Sequence, residues 1–204
     1  MTPRKAEVER KSKETQIKVS LNVDGTGQNK IKTPIGFLDH MLELFAFHGY
    51  FDLDLSVTGD THIDIHHTNE DIGITLGKAF KKALGEEKSG IKRFGYAYAP
   101  MEAAVGLCVI DISGRGFFKF NASHGMPTQK GIEGYYEFSH FEHFMESFAH
   151  QLGATLSFTL QNPSDDLHTN LETMFKSLGL ALDMAVAVDP RRAGKVPSTK
   201  GIID

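Results

Sequence analysis

Two histidine-and-glutamate sets dominate the chemistry open to this chain. The first lies in Asp64-Ile-His66-His67-Thr-Asn-Glu70, and the second in Asp166-Leu-His168-Thr-Asn-Leu-Glu172. Residues four apart on a helix share a face, so His66 with Glu70, and His168 with Glu172, can each hold one cation. His67 points about 100° away around the same helix, so adjacent histidines serve two different metal ions or two sides of an interface. Imidazole with carboxylate favours Mn, Fe, Co, Ni or Zn over Mg or Ca. His40 and His143, each on another predicted helix, can complete these sets.

The second set is a copy of the first. His66 recurs as His168, Glu70 as Glu172, Leu76 as Leu178, Gly77 as Gly179 and Ala79 as Ala181, all at an offset of 102. Asp39-His40-Met41-Leu42-Glu43 is answered by Glu142-His143-Phe144-Met145-Glu146, and Phe45-Ala46 by Phe148-Ala149, at 103. The copy puts Thr169 in place of His67. Repetition raises the metal-site reading well above what a lone histidine supports. His48, beside Gly49, reads as a helix C-terminus residue, and His62, His124, His140 and His150 have no copy and read as structural or solvated. His140, three before His143, is a candidate substitute ligand.

The elements that must position these residues follow from periodicity. Ile17, Val19, Leu21 and Val23 alternate as a half-buried strand, and Asp24-Gly-Thr-Gly27 turns the chain. Phe37 to Phe45 has helical spacing, ended by His48-Gly49. Phe51 to Val57 alternates as a strand, and His66 to Leu84 forms a helix. Glu86 to Gly90 is a polar break, dividing 1–88 from 89–204. The second part repeats the order. A strand around Leu107 to Ile112 leads to Ser113-Gly-Arg-Gly116, and a further strand and a long loop follow. Then come a helix near Glu142 to Leu152, a strand from Ala154 to Leu160, and a helix from about Asp166 to Val188. The expectation is two strand-strand-helix-strand-helix halves.

Arg93, Arg115, and Ser198 with Lys200 in Pro197-Ser-Thr-Lys-Gly201 form a second chemical set. Guanidinium forks and hydroxyls suit phosphate oxygens. No nucleotide-binding glycine motif is present. A net charge of −4 gives no reason to expect nucleic acid or an anionic membrane surface. The N-terminal stretch has no apolar signal region, and the run Val105 to Ile110 is too short to span a bilayer. The single cysteine, Cys108, rules out an intrachain disulfide and fits a cytoplasmic protein.

The strings GFLDHM, HHTNEDIGITLG, GIKRFG, DISGR, EHF and VPSTKG, in this order, resemble the imidazoleglycerol-phosphate dehydratase family of histidine biosynthesis. The likeness runs from about Lys13 to Ile203. The resemblance implies an α+β fold, a tandem duplication of two sheet-plus-two-helix halves with the helices packed between the sheets. It implies a hydro-lyase that converts imidazole-glycerol phosphate to imidazole-acetol phosphate. It also implies a homo-oligomeric cage of 24 subunits with two Mn2+ sites at subunit contacts. The implied metal ligands are His40, His66, His67, Glu70, His143, His168 and Glu172. Glu14, Glu70 and Glu172 fall on catalytic positions, Glu14 as a proton-transfer group. Arg93, Arg115, Ser198 and Lys200 fall on phosphate-binding positions. In this chemistry a metal on the ring nitrogen favours the imidazolate, which expels the neighbouring hydroxyl.

The chain departs from the family at Thr169, which removes one expected ligand, and at Glu102-Ala103, where the family has Asp-Glu. Asp64-Ile65 is a milder change. The segment between Arg115 and His143 is also longer than usual. These departures leave three readings: a dehydratase whose altered site is completed by water or His140, a homologue working on a related phosphorylated or imidazole-bearing substrate, or a non-catalytic metal-binding member. Without the resemblance, the residues alone give a duplicated α+β metalloprotein with an anion pocket.

Overall fold

A computed structural model describes residues 4–85, 88–123, 135–192 and 194–203. Two four-stranded sheets enclose the helices. In chain order the elements are β1 (Lys5–Lys11), β2 (Thr15–Asn22), β3 (Asn29–Lys32), α1 (Gly36–His48), β4 (Asp52–Gly59) and α2 (His66–Leu84). The same order returns as β5 (Phe94–Met101), β6 (Ala104–Asp111), β7 (Phe117–Ala122), α3 (Phe138–Leu152), β8 (Thr155–Gln161) and α4 (Leu167–Val186). The sheet orders are β1-β2-β4-β3 and β5-β6-β8-β7. All pairings are antiparallel except β3 with β4 and β7 with β8. Each parallel pair is joined through a helix, α1 or α3, as parallel strands require.

The expected α+β duplication is present, and each half has one strand more than the expected strand-strand-helix-strand-helix order, with β3 anticipated from the repeat alone. The extra strands are β1 and β5, both at sheet edges. β1 buries Ala6 and half-buries Val8 among charged residues, so its amphipathic signal is faint. β5 buries only glycine and alanine inward while Phe94, Tyr96 and Tyr98 face out, which inverts the usual pattern. α2 spans the anticipated residues, α3 begins a turn earlier than expected, at Phe138, and Asp166 caps α4 by accepting from the backbone N–H groups of His168 and Thr169.

Helices pair across the duplication rather than within it. α2 lies on β1 and β2 and packs against α3, whereas α4 lies on β5 and β6 and packs against α1. One hydrophobic cluster therefore contains residues of both halves, from Ala6 to Val186. Phe45, Phe80, Phe144, Phe148 and Phe175 fill its centre with edge-to-face and stacked rings.

The repeated glycine explains how close the pairs lie. A Cβ on Gly77 would sit 2.6 Å from the carbonyl oxygen of Phe148, and one on Gly179 would sit 2.5 Å from that of Phe45. Phe45 and Phe148 are themselves copies, so the same backbone contact is made twice. Gly77→Ala should lower stability to chemical denaturation by about 1–3 kcal/mol, despite alanine's better helix propensity. Gly36→Ala, at a site with nothing within 4 Å, should be neutral or stabilising.

Candidate metal centre

The cross-paired helices assemble two histidine sets, each drawn from both halves. In the first, His40 on α1 meets His168 and Glu172 on α4. His168 Nε2 lies 3.1 Å from Glu172 Oε2, and His40 Nε2 lies 3.5 Å from the same oxygen. One ligand atom from each of the three falls within 4.8 Å of the others. Phe37, one turn before His40, packs edge-on against His168 and fixes its ring. Lys176, one turn beyond Glu172, bonds Glu172 Oε1 at 2.5 Å. Burial pushes the Glu172 carboxyl up, but the Lys176 hydrogen bond and charge and the His168 contact outweigh it and hold it below its ordinary value.

In the second set, His66 on α2 and His143 on α3 face each other with their Nδ1 atoms 3.2 Å apart. Glu70 lines the same open hollow, with Glu146 and His150 on α3. At this distance one imidazole nitrogen donates to the other, and deprotonated at Nδ1 both offer a lone pair to a shared cation. A buried bridge sets the approach of α2 to the start of α3. Tyr136 Oη donates to Asn69 Oδ1 at 3.1 Å, and Asn69 Nδ2 donates to the His140 carbonyl at 2.7 Å.

His67 is in neither set. Its Nδ1 lies 3.5 Å from Asp60 Oδ2, and it groups with Asp60 and Glu14 in a separate cluster whose ligand atoms also fall within 4.8 Å. The hydrogen bond with Asp60, and then the charge of Glu14, raise the His67 pKa. Its counterpart Thr169 does the reverse: its hydroxyl folds back onto Asp166 Oδ2 at 3.0 Å and is buried. His140 serves as a helix cap, its Nδ1 accepting the Glu137 N–H at 2.9 Å, and its ring lies on Tyr136. That nitrogen is therefore committed to the backbone. His124 lies outside the described residues.

Arg93 is held by a two-pronged ion pair, Nε to Asp111 Oδ1 at 2.6 Å and Nη2 to Asp111 Oδ2 at 3.0 Å. Its Nη1 donates to the Pro197 carbonyl at 3.1 Å, which docks the C-terminal tail with Ser198 and Lys200 beside it. Arg115 is exposed on the β6–β7 loop, where its N–H donates to Ser113 Oγ. Asp60, Lys176 and Asp111 were not singled out from the sequence. Lys176 was the findable one, being a helical turn from Glu172. Asp111 reaches Arg93 where β5 and β6 pair, and Asp60 reaches His67 through the path of the β4–α2 connection, neither of which spacing reveals.

Known proteins share this fold and much of this sequence. A sequence model of the family "Imidazoleglycerol-phosphate dehydratase" matches residues 33–182. An imidazoleglycerol-phosphate dehydratase of Janthinobacterium sp. is 46% identical over 98% of each chain. One of Ralstonia pickettii is 47% identical over 98% of this chain and 99% of its own. The crystal structure of the Pyrococcus furiosus enzyme in complex with (S)-C348 is similar with a TM-score of 0.78 at 35% identity, covering 96% of this chain and 99% of its own. That of the Staphylococcus aureus enzyme gives 0.76 at 30% identity, covering 91% and 99%. The motifs, the duplicated fold and these relatives agree: the chain belongs to the imidazoleglycerol-phosphate dehydratase family, hydro-lyases of histidine biosynthesis.

Proposed function

We propose that this chain carries out the metal-dependent dehydration of imidazole-glycerol phosphate to imidazole-acetol phosphate. The observation that carries the reading is the assembly of two separate imidazole sets, His40–His168–Glu172 and His66–His143 beside Glu70, from helices of opposite halves. Both donor sets fit manganese, with nitrogen and carboxylate oxygen donors and no thiolate. When bound, the metal supplies Lewis acidity to a substrate ring nitrogen and hydroxyl.

The chain's own residues do the rest. His40, His168 and Glu172 hold one ion, and His66, Glu70 and His143 hold the other. His67 points off its own set and is half exposed, so its role is as a ligand at a contact with a second copy of the chain. This agrees with a homo-oligomeric assembly such as the 24-subunit cage. Glu14, exposed on the β1–β2 hairpin and close to His67 and Asp60, is the group placed to move a proton. Glu70 and Glu172 orient the sets. Arg93, Arg115, Ser198 and Lys200 hold the phosphate, with Arg93 anchoring the tail that carries two of them. Among the described residues no helix is long and apolar enough to cross a membrane, and the lone buried Cys108 fits a reducing cytoplasm.

Thr169 makes the sites unequal. With its hydroxyl spent on Asp166, it offers no ligand where the first half offers His67. We expect full-length protein to release water from imidazole-glycerol phosphate with Mn2+ present, to stop on chelation, and to recover when Mn2+ is returned. Turnover from Thr169→His alone, with none from the natural chain under any metal, would show that the reaction was lost at this position. Calorimetry supplies the metal test. His168→Ala should weaken Mn2+ at one site by at least about tenfold while leaving the other unchanged. Equal loss at both sites, or at neither, would contradict the assignment of ligands to two separate sets.

A further inference from the structure

We infer that Asp71, Arg10 and Thr15 are positioning residues that fix Glu14 and His67 relative to each other, a device built only into the first half. The observation is a closed circuit of hydrogen bonds between helix α2 and the tip of the β1–β2 hairpin. Asp71 is buried, one residue after Glu70 and four after His67. Its Oδ1 pairs with Arg10 Nη2 at 2.7 Å, and its Oδ2 accepts the Thr15 hydroxyl at 2.5 Å. Thr15 Oγ1 lies 3.2 Å from Ser12 Oγ, which accepts the N–H groups of Glu14 at 3.1 Å and Thr15 at 3.0 Å. The Glu14 carbonyl accepts the Asp60 N–H at 3.1 Å, and the Asp60 carboxylate faces His67 Nδ1 at 3.5 Å. The circuit thus leaves α2 at Asp71 and returns to it at His67.

Its polarity is set by the carboxylate. Asp71 only accepts, so the Thr15 hydroxyl must donate to it. The Ser12 proton then points at Thr15, which leaves the Ser12 lone pairs for the hairpin amides. Each bond orders the next, and the hairpin tip is held in one conformation.

The second half supplies the control. Arg10 pairs with Ile17 and Ile17 with Val57, while Ala99 pairs with Gly106 and Gly106 with Leu160. Laying the sheets in this register sets Arg10 on Ala99, Glu14 on Ala103 and Thr15 on Ala104. On the helices, Asp71 falls on Thr173 and His67 on Thr169. After the strand, Asp60 gives way to Asn162-Pro163. Every charged member is gone from its aligned position, with Glu102 standing one residue before that of Glu14, yet the same hairpin, sheet and helix form, and the shared histidines and glutamates remain. The fold therefore does not need the circuit. What disappears with it is the Glu14–Asp60–His67 cluster, and that identifies what the circuit positions.

The catalytic side of this inference rests on the dehydratase reading, whereas the structural side does not. The test compares Thr15→Val, which keeps the shape and loses the hydroxyl, with Thr15→Ser, which keeps the hydroxyl. In Thr15→Val, amide hydrogen exchange at Glu14 and Asp60 should speed up by about tenfold, with or without Mn2+, as one linking hydrogen bond is lost. The kcat should fall by about tenfold or more with KM little changed, because the phosphate-binding arginines lie elsewhere. Thr15→Ser should restore both. Unchanged exchange in Thr15→Val, or activity that follows side-chain shape rather than the hydroxyl, would overturn the inference. If the unsubstituted chain turns nothing over, the dehydratase reading fails by itself and the exchange measurement still decides the circuit.

Discussion

The contact of a helical glycine with a facing backbone carbonyl is the constraint on which this molecule depends. Gly77 meets the Phe148 carbonyl and Gly179 meets that of Phe45, each at a distance no side chain could share. Only at that spacing do α2 with α3, and α1 with α4, bring imidazoles from the two halves into one cluster. The Nδ1 atoms of His66 and His143 stand 3.2 Å apart because the helices that carry them touch. A wider crossing would leave each half with a histidine and a glutamate on an exposed face, too few donors to retain an ion against water. Duplication, core packing and metal chemistry therefore share one geometric requirement.

On that symmetric frame the chain places unequal chemistry. Both halves keep the His-Glu pair one helical turn apart and the histidine of the preceding helix. Only the first keeps an outward imidazole, a carboxylate at the Glu14 position of the hairpin, and the half-buried arginine and buried aspartate that tie the hairpin down. Where these are missing, the second half substitutes alanines and threonines, and Thr169 finds its hydrogen bond inside its own helix cap. Lys176 adds a further inequality, since it neutralises Glu172 and its counterpart beside Glu70 is Ile74. The two sets thus differ in charge as well as in ligand number. In a medium of lowered dielectric such differences carry weight.

The anion set follows a different logic. Arg93 spends its fork on Asp111 and one further nitrogen on the Pro197 carbonyl. It has a positive φ of 75°, a conformation that non-glycine residues adopt only when their surroundings hold them there. Its direct effect here is to seat the tail, and the tail in turn carries Ser198 and Lys200 to that side of the second sheet. A basic segment is in this way seated beside Arg93.

Much of this was legible in the residue order. The repeat of His66 and Glu70 as His168 and Glu172, the alternation of β2, β4, β6 and β8, and the bounds of α1, α2 and α4 all follow from local periodicity, because a helix or half-buried strand writes its buried face into the chain. β1 and β5 escaped since an edge strand buries little: Ala6, Gly95 and Ala99 leave no apolar rhythm. The helix partners were equally beyond reach. Nothing in spacing shows that α2 would join α3 rather than α1, because that choice is made by the glycine contacts and the shared phenylalanine core. Single residues divide the same way. His168 and Glu172 announce each other across one helical turn, whereas Asp60 meets His67 only through the path of the β4–α2 connection, and Asp71 meets Arg10 and Thr15 only when α2 packs on the first sheet. The sequence by itself determined which groups could bind a metal or an anion. The tertiary structure decided which of them meet, since long-range contact depends on packing and strand register that no local pattern encodes.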